Sequence, residues 1–347
     1  MSMRNEEKAL FSLRALYESY GYCRYKMSKF EEYDLYVLGR DSLISEGVIT
    51  FTDTNGKLMA LKPDVTLSII KNNRGTQKVY YNENVYRVSK GTNSFKEIMQ
   101  AGIERIGDID DYAIFEVIML AAKSLKTISD TAMLDISHLG IISQVISGLS
   151  ADMQKEVLRC LTEKNIHELP HTFVTDTLKK LMSISGRPAD VLPRLYDLLG
   201  ENAALSQLEK ITNALSDAGL SDVINIDFSV SGDIGYYNGL VFKGFIKGVP
   251  ECVLSGGQYD FLMKKMGKDL QAIGFAVYLD SLSRLFDEGK KYDADIAIIY
   301  GDDTDISLLY NTVTLYTLKG KTVVAFKKLP SGYKCREIIN IGGGQND

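Results

Sequence analysis

The stretch FKEIMQAGIERIG (residues 95–107), with KVYYNENVYRV (78–88) before it, decides the fold of this chain. Both segments are rich in apolar and aromatic residues, and the short polar segment SKGTNS (89–94) separates them. Such runs, bounded by polar residues, are typical of β-strands. We therefore predict two consecutive strands within a β-rich region that runs from residue 48 to residue 107.

One face of the second strand carries a candidate binding site. Because side chains alternate across a strand, Gln100, Gly102 and Glu104 point to the same side. An amide and a carboxylate on either side of a glycine would leave a gap for a small ligand. A solvated strand face is the alternative, and this segment alone leaves both open.

The segments on either side of these strands indicate a mixed α and β architecture. Residues 5–21 predict an amphipathic helix that ends in glycine. The segment VITFTDTNGKLMAL (48–61) predicts a hairpin in which Asn55 and Gly56 form a two-residue turn. Residues 111–127 predict a second helix.

Residues 141–221 differ in kind, because their pattern is helical throughout. We interpret them as a helical insertion in a domain formed by residues 1–140 and 222–290. Strand patterns resume at residue 223 and end in AIGFAVYLDSLSRLF (272–286), which predicts a strand that continues into a helix. The tail, residues 291–347, predicts a β-α-β fragment about half the size of an ordinary α/β domain.

Composition and charge argue against several classes of function. Lysine and arginine total 40 against 45 acidic residues, a net charge of −5, so we expect no nucleic-acid partner. The chain has 4 cysteines without a C-x-x-C spacing and 3 histidines, which argues against a metal site and a disulfide framework. It contains neither an apolar run of about 18 residues nor a secretory signal pattern, so we expect a cytoplasmic protein without a membrane span.

Further candidate residues follow Pro63 in the segment LMALKPDVTL. The carboxylate of Asp64, with the hydroxyl of Thr66 nearby, could hold an ammonium group through charge-assisted hydrogen bonds. The alternative is that Asp64 caps the helix predicted for VTLSIIKNN, which is equally sound physically.

An arginine and a tyrosine pair complete the candidate set. Arg87 lies in an apolar strand segment, where a cation needs an anionic ligand or an ordinary salt bridge. Tyr236 and Tyr237, in SVSGDIGYYNGLVF (229–242), offer a ring for stacking and a hydroxyl for hydrogen bonding. The candidate set contains two carboxylates, an amide and tyrosines, but no metal ligands. This combination favours an amino acid with a basic side chain as the ligand.

The order of these segments resembles the catalytic core of histidyl-tRNA synthetases, in the class II aminoacyl-tRNA synthetase family. The resemblance covers about residues 5–290 and rests on TFTDTNGKLMALKPDVT, the two strands quoted first, GYYNGLVF, SGGQYDFL and AIGFAVYLDSLSRL. It implies an α+β fold, a class II aminoacyl-tRNA synthetase-like antiparallel sheet flanked by helices. The resemblance also implies a helical insertion. It further implies a truncated C-terminal α/β tail in place of a full anticodon-binding domain.

The resemblance also implies roles for the candidate residues. Asp64 would bind the α-amino group of histidine, and Glu104 would reach towards the imidazole. Arg87 matches the arginine that contacts ATP and the carboxylate in the synthetases. The histidine-binding set that the resemblance implies is Asp64, Thr66, Arg87, Gln100, Glu104, Tyr236 and Tyr237.

The sequence departs from the synthetase pattern at the cationic residues that serve the activation of histidine by ATP. Gly232 and Ser281 stand where the synthetases carry arginines, and Arg284 lies one helical turn beyond Ser281, out of register. The motif-2 loop, which usually has a GRYR run, retains Ser94 and Lys96. Positioned cations stabilise the charge that develops on the reacting phosphorus. The resemblance therefore implies a paralogue that holds histidine but does not activate it.

Among such paralogues the chain is similar to the regulatory subunits of ATP phosphoribosyltransferase, which share the Asp-x-Thr turn and a GLVF after the tyrosines. This similarity implies a non-catalytic subunit required for the first step of histidine biosynthesis and for its feedback inhibition by histidine. It implies a short-form catalytic subunit as partner, L-histidine as effector, a homodimer within a hetero-oligomer and no cofactor. Lys62, where arginine is usual, and Ser28, where proline is usual, depart from the pattern.

Two other functions stay open from the sequence. The first is a divergent but active histidyl-tRNA synthetase. The second is a stand-alone histidine sensor, or a module that transfers an amino acid to another carrier.

Overall fold

The structure is a computed structural model, and it describes residues 5–37, 47–89, 94–163, 165, 168–169, 172–230, 236–282, 285 and 291–341. The chain divides into two compact units. The larger unit comprises Asn5–Ser283, and the smaller one comprises Arg284–Asp347 with Met1–Arg4. The candidate residues that the structure describes all belong to the larger unit.

A nine-stranded sheet forms the centre of the larger unit. Its strands, in the order in which they lie side by side, are β1 (Cys23–Arg24), β5 (Gln77–Val88), β6 (Phe95–Gly107), β12 (Gln271–Tyr278), β11 (Leu254–Gln258), β10 (Leu240–Ile246), β7 (Ala132–His138), β9 (Ile224–Asp227) and β8 (Ser185–Gly186).

The sheet is mainly antiparallel. β1 runs parallel to β5 and β9 runs parallel to β7, whereas the other neighbours are antiparallel. β5 and β6 pair along their whole length, from Gln77 opposite Ile106 to Val88 opposite Phe95. Because β6 has the bounds predicted from its sequence, the predicted alternation of side chains applies to every residue of the strand.

Helices flank this sheet. Those of the larger unit are α1 (Asn5–Ser19), α2 (Asp34–Val37), α3 (Val65–Asn72), α4 (Asp111–Ile128), α5 (Leu139–Ile146), α6 (Ala151–Thr162), α7 (Phe173–Met182), α8 (Pro188–Leu199), α9 (Ala203–Asp217) and α10 (Asp260–Lys265).

The first and fourth helices pack together against one face of the sheet. The hydroxyl of Tyr17 in α1 lies 3.0 Å from that of Ser124 in α4, and both side chains are buried. Arg105 of β6 points to this face and donates to Glu116 of α4 over 3.2 Å. The opposite face of β6, which carries Glu104, is therefore left for other elements.

A small three-stranded sheet contains the hairpin predicted from the sequence. Its strands are β2 (Phe30–Glu32), β4 (Leu58–Leu61) and β3 (Thr50–Thr52), in that order. The predicted two-residue turn is wrong: the turn comprises residues 54–56, because Asp53 N donates to Lys57 O over 2.9 Å. Gly56 has a φ of 80°, the left-handed conformation that ends such a three-residue turn.

The described part of residues 139–217 contains five helices, α5 to α9, in agreement with the helical pattern of this segment. Two features were not predicted. The two-residue strand β8 interrupts the helices and pairs with β9, and β7 (residues 132–138) precedes them. β7 has an alternating pattern, but only three residues separate it from the long helix α4.

The smaller unit contains a parallel sheet. Its strands, in spatial order, are β14 (Val323–Phe326), β13 (Ala294–Tyr300) and β15 (Cys335–Ile341), and α11 (Ile306–Thr317) connects β13 to β14. The β-α-β pattern is thus present, and β15 adds a third strand that was not predicted. Within the described residues, no helix has the length and apolar character that a membrane crossing needs.

Candidate functional site

A cavity of about 160 Å³ lies on the face of the sheet opposite α4. Strands β5, β6, β11 and β12 contribute to it, together with the start of α3 and the segment before β10. The structure brings all seven candidate residues to this one cavity. They are Asp64, Thr66, Arg87, Gln100, Glu104, Tyr236 and Tyr237.

Glu104 is the most deeply buried acid of the cavity, with 1% of its surface exposed. The hydroxyl of Thr66 donates to its Oε1 over 2.8 Å, and the hydroxyl of Tyr259 donates to its Oε2 over 2.6 Å. Burial raises the pKa of Glu104 to about 8, although both hydrogen bonds oppose this rise. The carboxyl group is therefore poised to change its charge near neutral pH.

Glycine in the neighbouring strand makes room for this carboxyl group. Gly274 of β12 is paired with Glu104, and a Cβ at Gly274 would lie only 1.7 Å from Oε2 of Glu104. Gly257 of β11 is paired with Gly274, so two adjacent strands present bare backbone beside the acid. A side chain at residue 274 would displace the carboxyl group or the strand.

The space over Gly102 differs from what the sequence predicted. Tyr81 of β5 is paired with Gly102, and a Cβ there would lie 2.6 Å from the Tyr81 hydroxyl. The gap beside Gly102 is thus filled by a tyrosine ring. The cavity lies beyond this ring, between Gln100, Glu104 and the start of α3.

Asp64 has a structural role and also borders the cavity. Its Oδ1 accepts from Leu67 N over 2.9 Å and so caps α3. Its Oδ2 lies 3.6 Å from a guanidinium nitrogen of Arg87, whose Nε donates to Pro63 O over 2.8 Å. The helix cap and the salt bridge, each proposed as an alternative from the sequence, are therefore both present in residues that line the cavity.

Tyrosines form another wall of the cavity. The rings of Tyr236 and Tyr237 lie edge to face with centroids 4.7 Å apart, and that of Tyr236 lies 6.1 Å from that of Tyr259. Burial raises the pKa of Tyr236 and Tyr259 well above its usual value, so both hydroxyls stay protonated at neutral pH. These groups can donate hydrogen bonds to a ligand or to Glu104.

An amide–carboxylate pair anchors the tyrosine segment. Nδ2 of Asn238 donates to Oδ2 of Asp260 over 2.9 Å, and Asp260 N donates to Oδ1 of Asn238 over 2.7 Å. Oδ1 of Asp260 also accepts from Ala272 N over 2.9 Å. The backbone after Tyr237 is thereby fixed to the start of α10 and to β12.

Several residues that line the cavity were not predicted from the sequence. Tyr81 and Tyr259 are 2% exposed, and the latter contacts Glu104 directly. Ser255 and Tyr278 also line the cavity, and Tyr278 is paired with Gln100. The segment SGGQYDFL contained the signal for Tyr259, because its paired glycines precede a tyrosine that directly follows the strand β11.

Acids surround the position where the synthetases carry their last arginine. Ser281 donates to Glu251 over 3.4 Å, and Asp280 accepts from Met99 N over 2.8 Å. Gly232 and Arg284 lie outside the described residues. The segment AIGFAVYLDSLSRLF was predicted to form a strand followed by a helix. Its strand is β12, and a 3-10 helix, residues 279–282, follows it.

The two remaining departures have ordinary structural partners. Lys62 is fully buried, and its Nζ lies 2.8 Å from a carboxylate oxygen of Glu83. Ser28 accepts a hydrogen bond from Phe30 N over 3.1 Å. Lys96 is paired with Arg87 at the outer end of β5 and β6.

The cavity is thus rich in acceptors and neutral donors. Among the described residues that line it, Arg87 is the one cation, and Asp64 and Glu104 are the acids. Nor does the described part of the chain contain a group of three or more side chains placed to hold a metal ion. Such a site suits a small zwitterion with an additional basic group.

A family model described as histidyl-tRNA synthetase matches residues 1–282. The chain belongs to the histidyl-tRNA synthetase family. The class II synthetase-like fold predicted from the sequence is therefore confirmed, with its large sheet and flanking helices.

Individual relatives extend this assignment. An ATP phosphoribosyltransferase regulatory subunit from Clostridium acetobutylicum is 28% identical over 335 residues, which cover 89% of this chain and 82% of the relative. A crystal structure of an ATP phosphoribosyltransferase regulatory subunit/histidyl-tRNA synthetase from Bacillus halodurans has a TM-score of 0.77 at 21% identity. The match covers 98% of this chain and 95% of the other. The similarity to the regulatory subunits is thereby confirmed.

A third similarity is to an ATP phosphoribosyl transferase complex from Thermotoga maritima. Its TM-score is 0.62 at 17% identity, and the match covers 78% of this chain and 96% of the other. At this identity the similarity concerns the fold.

Proposed function

We propose that this chain is a non-catalytic regulatory subunit of ATP phosphoribosyltransferase, which binds histidine in the cavity and acts on a short catalytic subunit. The names of its relatives support the class of protein. The cavity supports the ligand, because it joins acceptors for a basic ring and an amino group to a single cation for a carboxylate.

The imbalance of charge in and beside the cavity carries this proposal. Arg87 is the one cation among the described lining residues, whereas Asp280 follows the end of β12 and Ser281 donates to Glu251. A reacting phosphate needs positioned cations, and each lost donor costs about a hundredfold in rate. Carboxylates in that place would repel the phosphates of ATP, so we infer binding without activation.

The positions of the side chains suggest how histidine would be held. Glu104 and the tyrosine hydroxyls suit the imidazole ring, and Asp64 suits the α-amino group. Arg87, 44% exposed at the cavity's edge, suits the carboxylate. The α-amino and carboxylate groups of histidine would thus each meet a partner of opposite charge, and the imidazole would meet hydrogen-bonding groups.

The assembly and the domain boundaries are part of the proposal. The domain of residues 1–140 and 222–290 would hold histidine, residues 141–221 would form the helical insertion, and residues 291–347 the truncated tail. The chain would form a homodimer within a cytoplasmic hetero-oligomer with the catalytic subunit. Histidine would inhibit the catalytic subunit by binding one state of this assembly more tightly than the other. The coupling free energy would be about 1–3 kcal/mol.

Two measurements on the purified chain test this function. Calorimetry should show histidine binding, and ATP–pyrophosphate exchange with histidine should stay at background. Exchange above background would instead identify an active synthetase. Histidine binding without any association with the short catalytic subunit would identify a stand-alone sensor.

A further inference from the structure

The helix α10 presents a basic and aromatic face to solvent. Phe261, Lys264 and Lys265 are exposed and follow the i, i+3, i+4 spacing, so they share one side of the helix. Leu262 and Met263 lie on the opposite side and are buried in the core. The exposed fraction of Phe261 is 53%.

The end of α3 extends this face. Lys268, which follows α10, donates from Nζ to the carbonyl oxygen of Asn73 over 3.0 Å. Asn73 caps the C-terminal end of α3, and the exposed residues Lys71 and Arg74 lie within two positions of it. We call Phe261, Lys264, Lys265, Lys268, Lys71 and Arg74 the basic face.

The cations of the basic face form no salt bridge within the described part of the chain. Among the described residues, no carboxylate oxygen lies within 4.0 Å of a side-chain nitrogen of its five cations. Two exposed lysines elsewhere form such pairs, Lys57 with Glu32 over 2.7 Å and Lys210 with Asp111 over 2.6 Å. The basic face has the opposite sign to the chain as a whole, whose net charge is −5.

Local stabilisation of the helices accounts for part of this pattern. Lysines in the last turn of a helix interact favourably with its C-terminal dipole, and Lys71, Lys264 and Lys265 occupy such positions. This effect does not account for the contact of Lys268 with the end of α3. It also gives no reason for the exposed ring of Phe261.

Both helices of the basic face begin at the cavity. α3 starts at its cap Asp64 and carries Thr66, which donates to Glu104. α10 directly follows Tyr259, which donates to the same carboxyl group. Each helix therefore starts at the cavity, and its last turn, about 10 Å away along its axis, carries lysines of the basic face.

We propose that the basic face is the surface with which this chain docks onto an acidic, partly apolar surface of the catalytic subunit. An exposed aromatic ring surrounded by cations suits an apolar pocket rimmed by carboxylates. The assignment of the partner rests on the function proposed above. A protein is favoured over a nucleic acid because the chain as a whole is acidic.

A charge-reversal experiment tests this assignment. Lys264→Glu with Lys265→Glu changes the basic face, and Lys179→Glu with Lys180→Glu is the control, since those lysines also occupy the last turn of a helix, α7. Association of each full-length variant with the short catalytic subunit would be measured by sedimentation velocity at low and moderate ionic strength. Melting temperature and histidine affinity would be measured in parallel.

We expect the basic-face variant to associate at least about tenfold more weakly, with a smaller dependence on salt, and the control to match the wild type. Phe261→Ala should also weaken association without changing the salt dependence. Equal affinity of all variants would overturn the docking surface and leave the proposed function intact. A wild-type chain that does not associate would overturn both, and loss of RNA binding alone in the basic-face variant would identify a nucleic-acid surface instead.

Discussion

The hydroxyl of Tyr259 lies 2.6 Å from Oε2 of Glu104, although 155 positions separate the two residues in the sequence. Thr66 donates to the other oxygen of the same carboxyl group over 2.8 Å. Three elements, β6, the start of α3 and the start of α10, therefore meet at one buried acid. A ligand that changes the charge or position of Glu104 acts on both helices at once.

Removal of the carboxyl group of Glu104 tests its role in binding. Glu104→Gln preserves the shape of the side chain but removes the group that becomes a charged acceptor when it loses its proton to a basic ring. We expect histidine affinity to fall by about tenfold to a hundredfold, because hydrogen bonds to charged groups contribute about 1.5–3 kcal/mol. Calorimetry at neutral pH measures this change, and unchanged affinity in a folded variant would rule out Glu104 as a ligand contact.

The raised pKa of Glu104 also predicts a pH dependence of stability. Between the ordinary value near 4.5 and the folded-state value of about 8, the folded chain keeps a proton that the unfolded chain releases. The free energy of unfolding should therefore fall as pH rises through this window, by up to about 1.4 kcal/mol per pH unit. Urea unfolding of the wild type and Glu104→Gln isolates this contribution, which the variant should lack; parallel pH profiles would contradict it.

Two substitutions of Asp64 separate its helix cap from its charge. Asparagine caps helices about as well as aspartate does, so Asp64→Asn should keep the stability of the chain but weaken histidine binding. Asp64→Ala should weaken binding and also cost about 1 kcal/mol of stability, because Leu67 N loses its acceptor. Chemical unfolding measures the change in stability, and calorimetry measures the change in histidine affinity. If Asp64→Asn binds histidine as tightly as the wild type does, the helix cap is the sole role of Asp64.

The space beside Glu104 depends on Gly274. Gly274→Ala should destabilise the chain by about 1–3 kcal/mol and abolish histidine binding, because the new methyl group overlaps Oε2 of Glu104. Gly148→Ala is the matched control, since a Cβ there meets no atom within 4 Å. It should change stability by less than about 0.5 kcal/mol. Similar melting temperatures for the two variants would show that residue 274 tolerates a side chain.

The sequence predicted the elements of the site better than their arrangement. Residues 95–107 form β6 as expected, and the period of two places Gln100 and Glu104 on the cavity face. Periodicity describes one strand at a time, however. It cannot show that Tyr81 is paired with Gly102 and fills the gap predicted there.

Long-range contacts explain most of the other differences. Tyr259 reaches Glu104 because β12 lies between β11 and β6, an order that no local pattern contains. The hairpin turn is longer than predicted because Asp53 Oδ1 accepts from Asn55 N and from Lys57 N, both over 2.8 Å. A side chain outside the Asn-Gly pair therefore determines the length of this turn.

Reconstitution with the short catalytic subunit is the most direct test of the regulatory function. Phosphoribosyl transfer to ATP should be low with the catalytic subunit alone, rise when this chain is added, and fall again with histidine. The Glu104→Gln mixture should be active but less sensitive to histidine than the wild type. Transfer that is the same with and without this chain, in the presence or absence of histidine, would contradict the account.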